Sequence, residues 1–181
     1  IKEEILNKVL QAVADKGLNN LSLRDIAKEI DVSARMLIYH FSSYEQLINA
    51  MLIKLSKNHK LTLKMILSEN LTKNLDEIFQ QFIEKAYLEK NRNALILCFE
   101  LYPKAIRYEE SYADFIQEVL INWVDEVETL ITPKYGDQSK LYATMIVAFY
   151  RGLLLDWLAT DDKVRVIKTN KVFTDLVSKS K

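Results

Sequence analysis

The chain has 181 residues, 49% hydrophobic and 28% charged, so it can bury a sizeable core at the length of one or two small domains. Its 25 basic and 25 acidic residues cancel, so no global positive field marks nucleic acid as a partner, and any DNA contact has to come from a local patch. The single cysteine, Cys98, excludes an intramolecular disulfide and multi-cysteine zinc sites and fits a reducing cytosol; three glycines, two prolines and no long β-type alternation point to an all-helical protein.

The start, Ile1-Lys2-Glu3-Glu4, is charged and has no apolar signal core, so no secretion signal is expected and the protein is placed in the cytoplasm. Ile5, Leu6, Val9, Leu10, Ala12 and Val13 recur at helical spacing and predict a helix over 3–16. It stops at Gly17, the residue type best suited to a left-handed cap. Ser22, with acidic Asp25 three residues on, caps a second helix of about two turns whose inner face is Leu23, Ile26, Ala27 and Ile30. Asp31-Val32-Ser33 breaks the pattern, and Ser33 caps a third helix reaching about residue 41. Ser43 with Gln46 forms a capping box that opens a fourth, longer helix to about residue 69. Further helices are expected from 74 or 75 to 90, 92 to 107, 110 to 131, 137 to 159 and 162 to 177, with Pro103 bending or ending the one it occupies. The domain division is placed inside the fourth helix, giving an N-terminal domain of residues 1–46 and a C-terminal domain of residues 47–181.

Residues 23–40 read LRDIAKEIDVSARMLIYH, the pattern of two helices crossing steeply over a tight turn. Small Ala27 sits at the crossing, Ile26, Ile30, Val32 and Leu37 supply the core, and Ala34, Arg35 and Met36 are left at the start of the third helix to face outward. The first residues of that helix are the ones that meet base edges when such a unit docks in the major groove. Arg35 is the leading candidate for base readout, because a guanidinium pairs with two acceptors of guanine, while Ala34 and Met36 offer apolar contact, for instance to a thymine methyl. Ser22, Arg24, Ser33, Tyr39, His40 and Tyr44 offer donors to the phosphate backbone, which fixes register without reading sequence. The bland alternatives are a helical hairpin with Arg35 as a solvated charge, and Tyr39 and His40 packed against the first helix. Residues 1–60 carry nine basic against seven acidic side chains, an asymmetry in the right direction but too small to decide.

Together, the first helix ending at Gly17, then LSLRDIAKEI, VSARMLIYHF and SSYEQL resemble the DNA-binding domain of the TetR (tetracycline repressor) family of bacterial regulators, over residues 5 to about 50. That resemblance implies an all-helical homodimer with two N-terminal helix-turn-helix domains on a palindromic double-stranded DNA operator. It also implies a C-terminal domain that holds a small-molecule effector, whose binding weakens the grip of the N-terminal domains on DNA. Beyond residue 50 only the helical layout and a GLLLDWLA segment fit the family. Three positions depart from its pattern. Asp31 replaces the usual turn glycine, and Asp tolerates the left-handed conformation better than most. Ile38 stands where a tyrosine is common. Tyr44 replaces a lysine, which removes one charge per subunit and predicts weaker, less salt-dependent binding.

In the C-terminal half, residues 141–159 are apolar nearly all round and need covering on both sides. The expected arrangement sets one face on its own domain and the other on a second subunit, with Ala148 and Gly152 permitting close approach and the helix over 162–177 completing a four-helix interface; the alternative is burial by a monomer's own helices. Arg151 and Asp156 interrupt the apolar run, so membrane insertion is not expected, and they pair with each other, with a partner helix or with an acidic ligand. Cys98, Tyr102, Trp123 and Tyr150 are the candidate lining of an effector pocket.

An enzyme is not expected, nor a cofactor. A cysteine nucleophile would need Cys98 to meet His40 or His59 across the proposed domain division, and the chain has no Glu-x-x-His pair and no glycine-rich phosphate loop. The competing reading is a helical interaction protein that kept the helix-turn-helix but lost specific DNA binding.

Overall fold

The computed structural model describes residues 1–16, 22–69, 75–86, 88–107 and 112–179, and among these the regular elements are all helical. In order they are α1 (Lys2–Lys16), α2 (Leu23–Glu29), α3 (Ala34–Phe41), α4 (Tyr44–Glu69), α5 (Leu75–Ala86), α6 (Glu89–Arg107), α7 (Ala113–Phe115), α8 (Asn122–Tyr135), α9 (Ser139–Thr160) and α10 (Lys163–Lys179). A π-helical turn, Ile116–Ile121, joins α7 to α8, and a 3-10 turn, Gly136–Gln138, joins α8 to α9. The cap expected at Gly17 lies outside the described residues.

Contacts divide the chain into two compact units, the first formed by Ile1–Lys57 with Glu89–Val119. Its core follows from the apolar spacing of its helices. Ile5, Leu6, Val9 and Val13 of α1 are buried with Ile26 and Ala27 of α2, Leu37 and Phe41 of α3, Leu47, Ile48 and Met51 of α4, and Leu97 and Leu101 of α6. Polar ties hold α1 in place around this apolar centre: Lys8 Nζ donates to the Ile30 carbonyl at 3.4 Å, Lys16 pairs with Glu29, and Lys54 of α4 pairs with Glu3. Pro103 neither ends nor interrupts α6, which continues to Arg107. The proline is exposed, so water can take the carbonyl that loses its donor.

The second unit comprises Asn58–Leu88 and Leu120–Lys181. Here α8 packs along α9, and α5 packs against α10. Asn170 of α10 is fully buried and donates its amide to Gln80 Oε1 of α5 at 2.8 Å. Around Tyr150 sits an aromatic cluster, with Phe79 at 5.7 Å between ring centroids, Phe173 at 5.9 Å edge-on, and Phe149 stacked on Phe173. Within the chain α9 is covered on one side only. Ala143, Ile146, Val147, Tyr150, Leu153 and Trp157 are buried, whereas Leu141, Met145, Ala148, Gly152 and Leu155 are exposed at spacings of four and three. The alternative of complete burial by the chain's own helices is therefore not what the fold does. Arg151 and Asp156 do not pair with each other. Arg151 donates to the Leu120 carbonyl in the π-helical turn, and Asp156 pairs with Arg165 of α10 at 2.6 Å.

Candidate nucleic-acid interface

Three serines and two aspartates set the geometry of residues 22–44. The Ser22 hydroxyl accepts from the Asp25 amide at 3.3 Å and donates to Asp25 Oδ2 at 2.6 Å, while the Ser22 amide donates to the same oxygen at 2.9 Å. The box is closed in both directions, and these bonds from Ser22 hold the Asp25 carboxyl below its ordinary value. At the other end of α2, Asp31 takes φ 54°, the Val32 amide reaches back to the Ala27 carbonyl at 2.9 Å and the Asp31 amide to the Lys28 carbonyl at 3.4 Å. That is a Schellman closure with aspartate in the left-handed seat. Ser33 then caps α3 by accepting from the Met36 amide at 3.2 Å, and Ser43 caps α4 by accepting from the Gln46 amide at 3.2 Å. Ala27, 2% exposed, lies at the close approach of α2 and α3.

On α3 the buried side is Leu37 and Phe41, with the Lys2 ammonium 5.3 Å from the centre of the Phe41 ring. At about 100° per residue the opposite side centres on Arg35 and Tyr39, with Ala34 and Ile38 on one shoulder and Met36 and His40 on the other. Arg35, Met36, Ile38 and Tyr39 are all exposed, Tyr39 by 82%. Tyr39 does not pack against α1; it stands clear and meets the half-buried His40 ring edge-on at 5.0 Å.

The remaining expected contacts differ in readiness. Arg24 is exposed on α2, and Ser33, exposed at the N-cap, keeps its own O–H to donate. Ser22 is exposed but has spent its O–H on Asp25. Tyr44 is half-buried at the start of α4, and burial first, then Glu100 and Glu45, pushes its hydroxyl above the ordinary range. Those carboxylates oppose a phosphate at that spot. Ile38, 53% exposed, also faces outward on α3; in the sequence it stands out only as a departure from the tyrosine common at that position.

The four effector-pocket candidates are divided between the units. Cys98 and Tyr102 are half-buried one turn apart on α6, with Tyr102 stacked on Phe99 at 5.5 Å and edge-on to Phe115 at 5.9 Å. Trp123 is half-buried on α8 and Tyr150 is buried on α9, both in the second unit. Among the described residues no group of three or more His, Cys, Asp or Glu is placed to hold a metal ion.

Residues 5–51 match the family profile described as bacterial regulatory proteins, tetR family. No curated protein sequence matches the chain. Solved structures resemble it along almost its whole length. A TetR transcriptional regulator from Legionella pneumophila superposes with a TM-score of 0.77 at 21% identity, covering 98% of this chain and 96% of that one. A Rhodococcus sp. protein described as a TetR-family regulator gives 0.73 at 21% identity, covering 99% and 98%. The multidrug binding protein EbrR, in complex with proflavin, gives 0.65 at 24% identity, covering 97% and 98%.

Proposed function

We propose that the chain, whose residues 5–51 match the tetR-family profile, is a TetR-family regulator: a dimeric repressor that grips a palindromic operator with α3 and releases it when a small molecule binds. The observation that carries the reading is the outward side of α3. Arg35, Met36 and Tyr39 stand exposed on a helix capped at Ser33 and closed from behind by Leu37 and Phe41, the presentation that major-groove readout requires. Residues 1–46 are taken as the reading domain and residues 47–181 as the effector and dimerisation domain, acting in the cytoplasm, with no catalytic step and no cofactor.

The one-sided burial of α9 supports the dimer. Leu141, Met145, Ala148, Gly152 and Leu155, with Val164, Val172 and Leu176 of α10, form exposed apolar surface of a kind that a monomer's surface helix rarely keeps. The span Ala113–Thr160 contains an 18-residue window with mean hydropathy 1.3, only a third of it buried. Arg151 and Asp156 within α9 favour a protein partner over lipid as its cover. A second copy related by a two-fold axis would meet the same surface on itself and set two recognition helices on one duplex. For the effector, Tyr150 with the rings of Phe79 and Phe173 beside it is the contact to test first, and the binding of proflavin by the structurally similar EbrR gives proflavin as a first ligand to try.

Mobility shift on duplexes selected by the full chain from a random pool tests this reading. A specific shift with two chains per duplex, weakened by Arg35→Ala, supports it. Recovery of no preferred sequence would leave the interaction-protein reading in its place.

A further inference from the structure

Ile38 is 53% exposed on the outward side of α3, one turn beyond Ala34 and on the same shoulder, directly beside Arg35. Its side chain has no donor for a phosphate and no acceptor for a base amine. The major groove offers such a residue one apolar group, the C5 methyl of thymine. As a β-branched residue in a helix, Ile38 is stiff at its first side-chain torsion, so it presents its methyls in one direction. The four-residue step from Ala34 to Ile38 rises about 6 Å along the helix, a reach of about two base pairs at 3.4 Å each.

The geometry points to Ile38, with Ala34 as the floor beside it, as a thymine-reading residue that discriminates through the C5 methyl within about two base pairs of the base that Arg35 meets. This rests on the DNA-binding reading above and adds to it a second, apolar element of specificity.

The test uses the full chain and a duplex that it has selected from a random pool, with each dT replaced in turn by dU, which removes the methyl alone. At one or two positions in each half-site the native chain should bind the dU duplex about four-fold more weakly, the worth of one methyl group taken out of an apolar contact. Ile38→Ala should lose about the same factor on the dT duplex and show no further loss on dU, as a coupled pair must. Ile38→Val gives a smaller loss and serves if the alanine variant does not fold. Equal binding of native chain to dT and dU at every position overturns the inference, and so does an Ile38→Ala chain as sensitive to dU as the native one. Those failures leave the DNA-binding reading standing, whereas selection of no sequence at all removes both.

Discussion

Asp31 holds the turn between α2 and α3 at φ 54°, where a side chain costs about 1–2 kcal/mol that glycine does not incur. Asp31→Gly should therefore raise stability by up to about 1 kcal/mol, part of the gain being lost to the freer unfolded chain, and Asp31→Val should lower it; thermal melts of the three proteins check the order. Asp25 gives a pH signature. Ser22 holds its carboxyl below the ordinary 3.8, so the box contributes fully above about pH 4 and is lost as pH falls through the lowered folded value. The stability difference between native chain and Asp25→Asn, read from urea unfolding, should thus shrink from pH 7 to pH 3. Ser22→Ala should cost about 1 kcal/mol at neutral pH by removing the cap. Arg35→Ala should leave the melting temperature unchanged, since the side chain is exposed, while specific affinity falls by the 1–3 kcal/mol typical of a guanine-reading arginine, roughly 5- to 150-fold. These residues were legible in the sequence because capping and turn closure are local: a serine or aspartate answers amides two or three residues away.

At the scale of elements, legibility falls off where distant groups decide. A single helix was expected over 110–131, but the winding widens into a π-helical turn at Ile116–Ile121. The Ser56 hydroxyl donates to the Glu118 carbonyl at 2.8 Å and Arg151 to the Leu120 carbonyl, groups far away in sequence that no local pattern could name. Pro103 predicts a bend or an end by its own local chemistry, and its exposed setting lets α6 run on to Arg107. The ends of α9 were close to expectation, but its apolar circumference did not say which side was spare. Gly152 answers that: a Cβ there would meet nothing within 4 Å. Gly152→Leu should accordingly strengthen the helix of the isolated protomer and yet weaken association, because bulk enters the proposed seam. Light scattering at micromolar concentration should show the variant shifted toward monomer relative to the native chain.

For the molecule as a whole, two proposed functions fall on one helical chain: base readout by α3 and pairing through α9 and α10. If folding and pairing are coupled, the melting temperature rises with protein concentration, and Met145→Glu removes that dependence by setting a charge in the seam. The candidate effector residues were the least legible part, since Cys98 and Tyr102 fall in one compact unit and Trp123 and Tyr150 in the other, and aromatic residues at helical spacing read alike whether they fill a core or line a pocket. The claim on which the rest depends is sequence-specific binding by a dimer. A fluorescence anisotropy titration at physiological salt, comparing a selected palindromic duplex with a scrambled duplex of equal length and composition, measures it directly. Saturation is expected at two chains per duplex, with affinity for the palindrome at least about 1,000-fold above that for the scrambled sequence. Equal affinity for the two duplexes would contradict it.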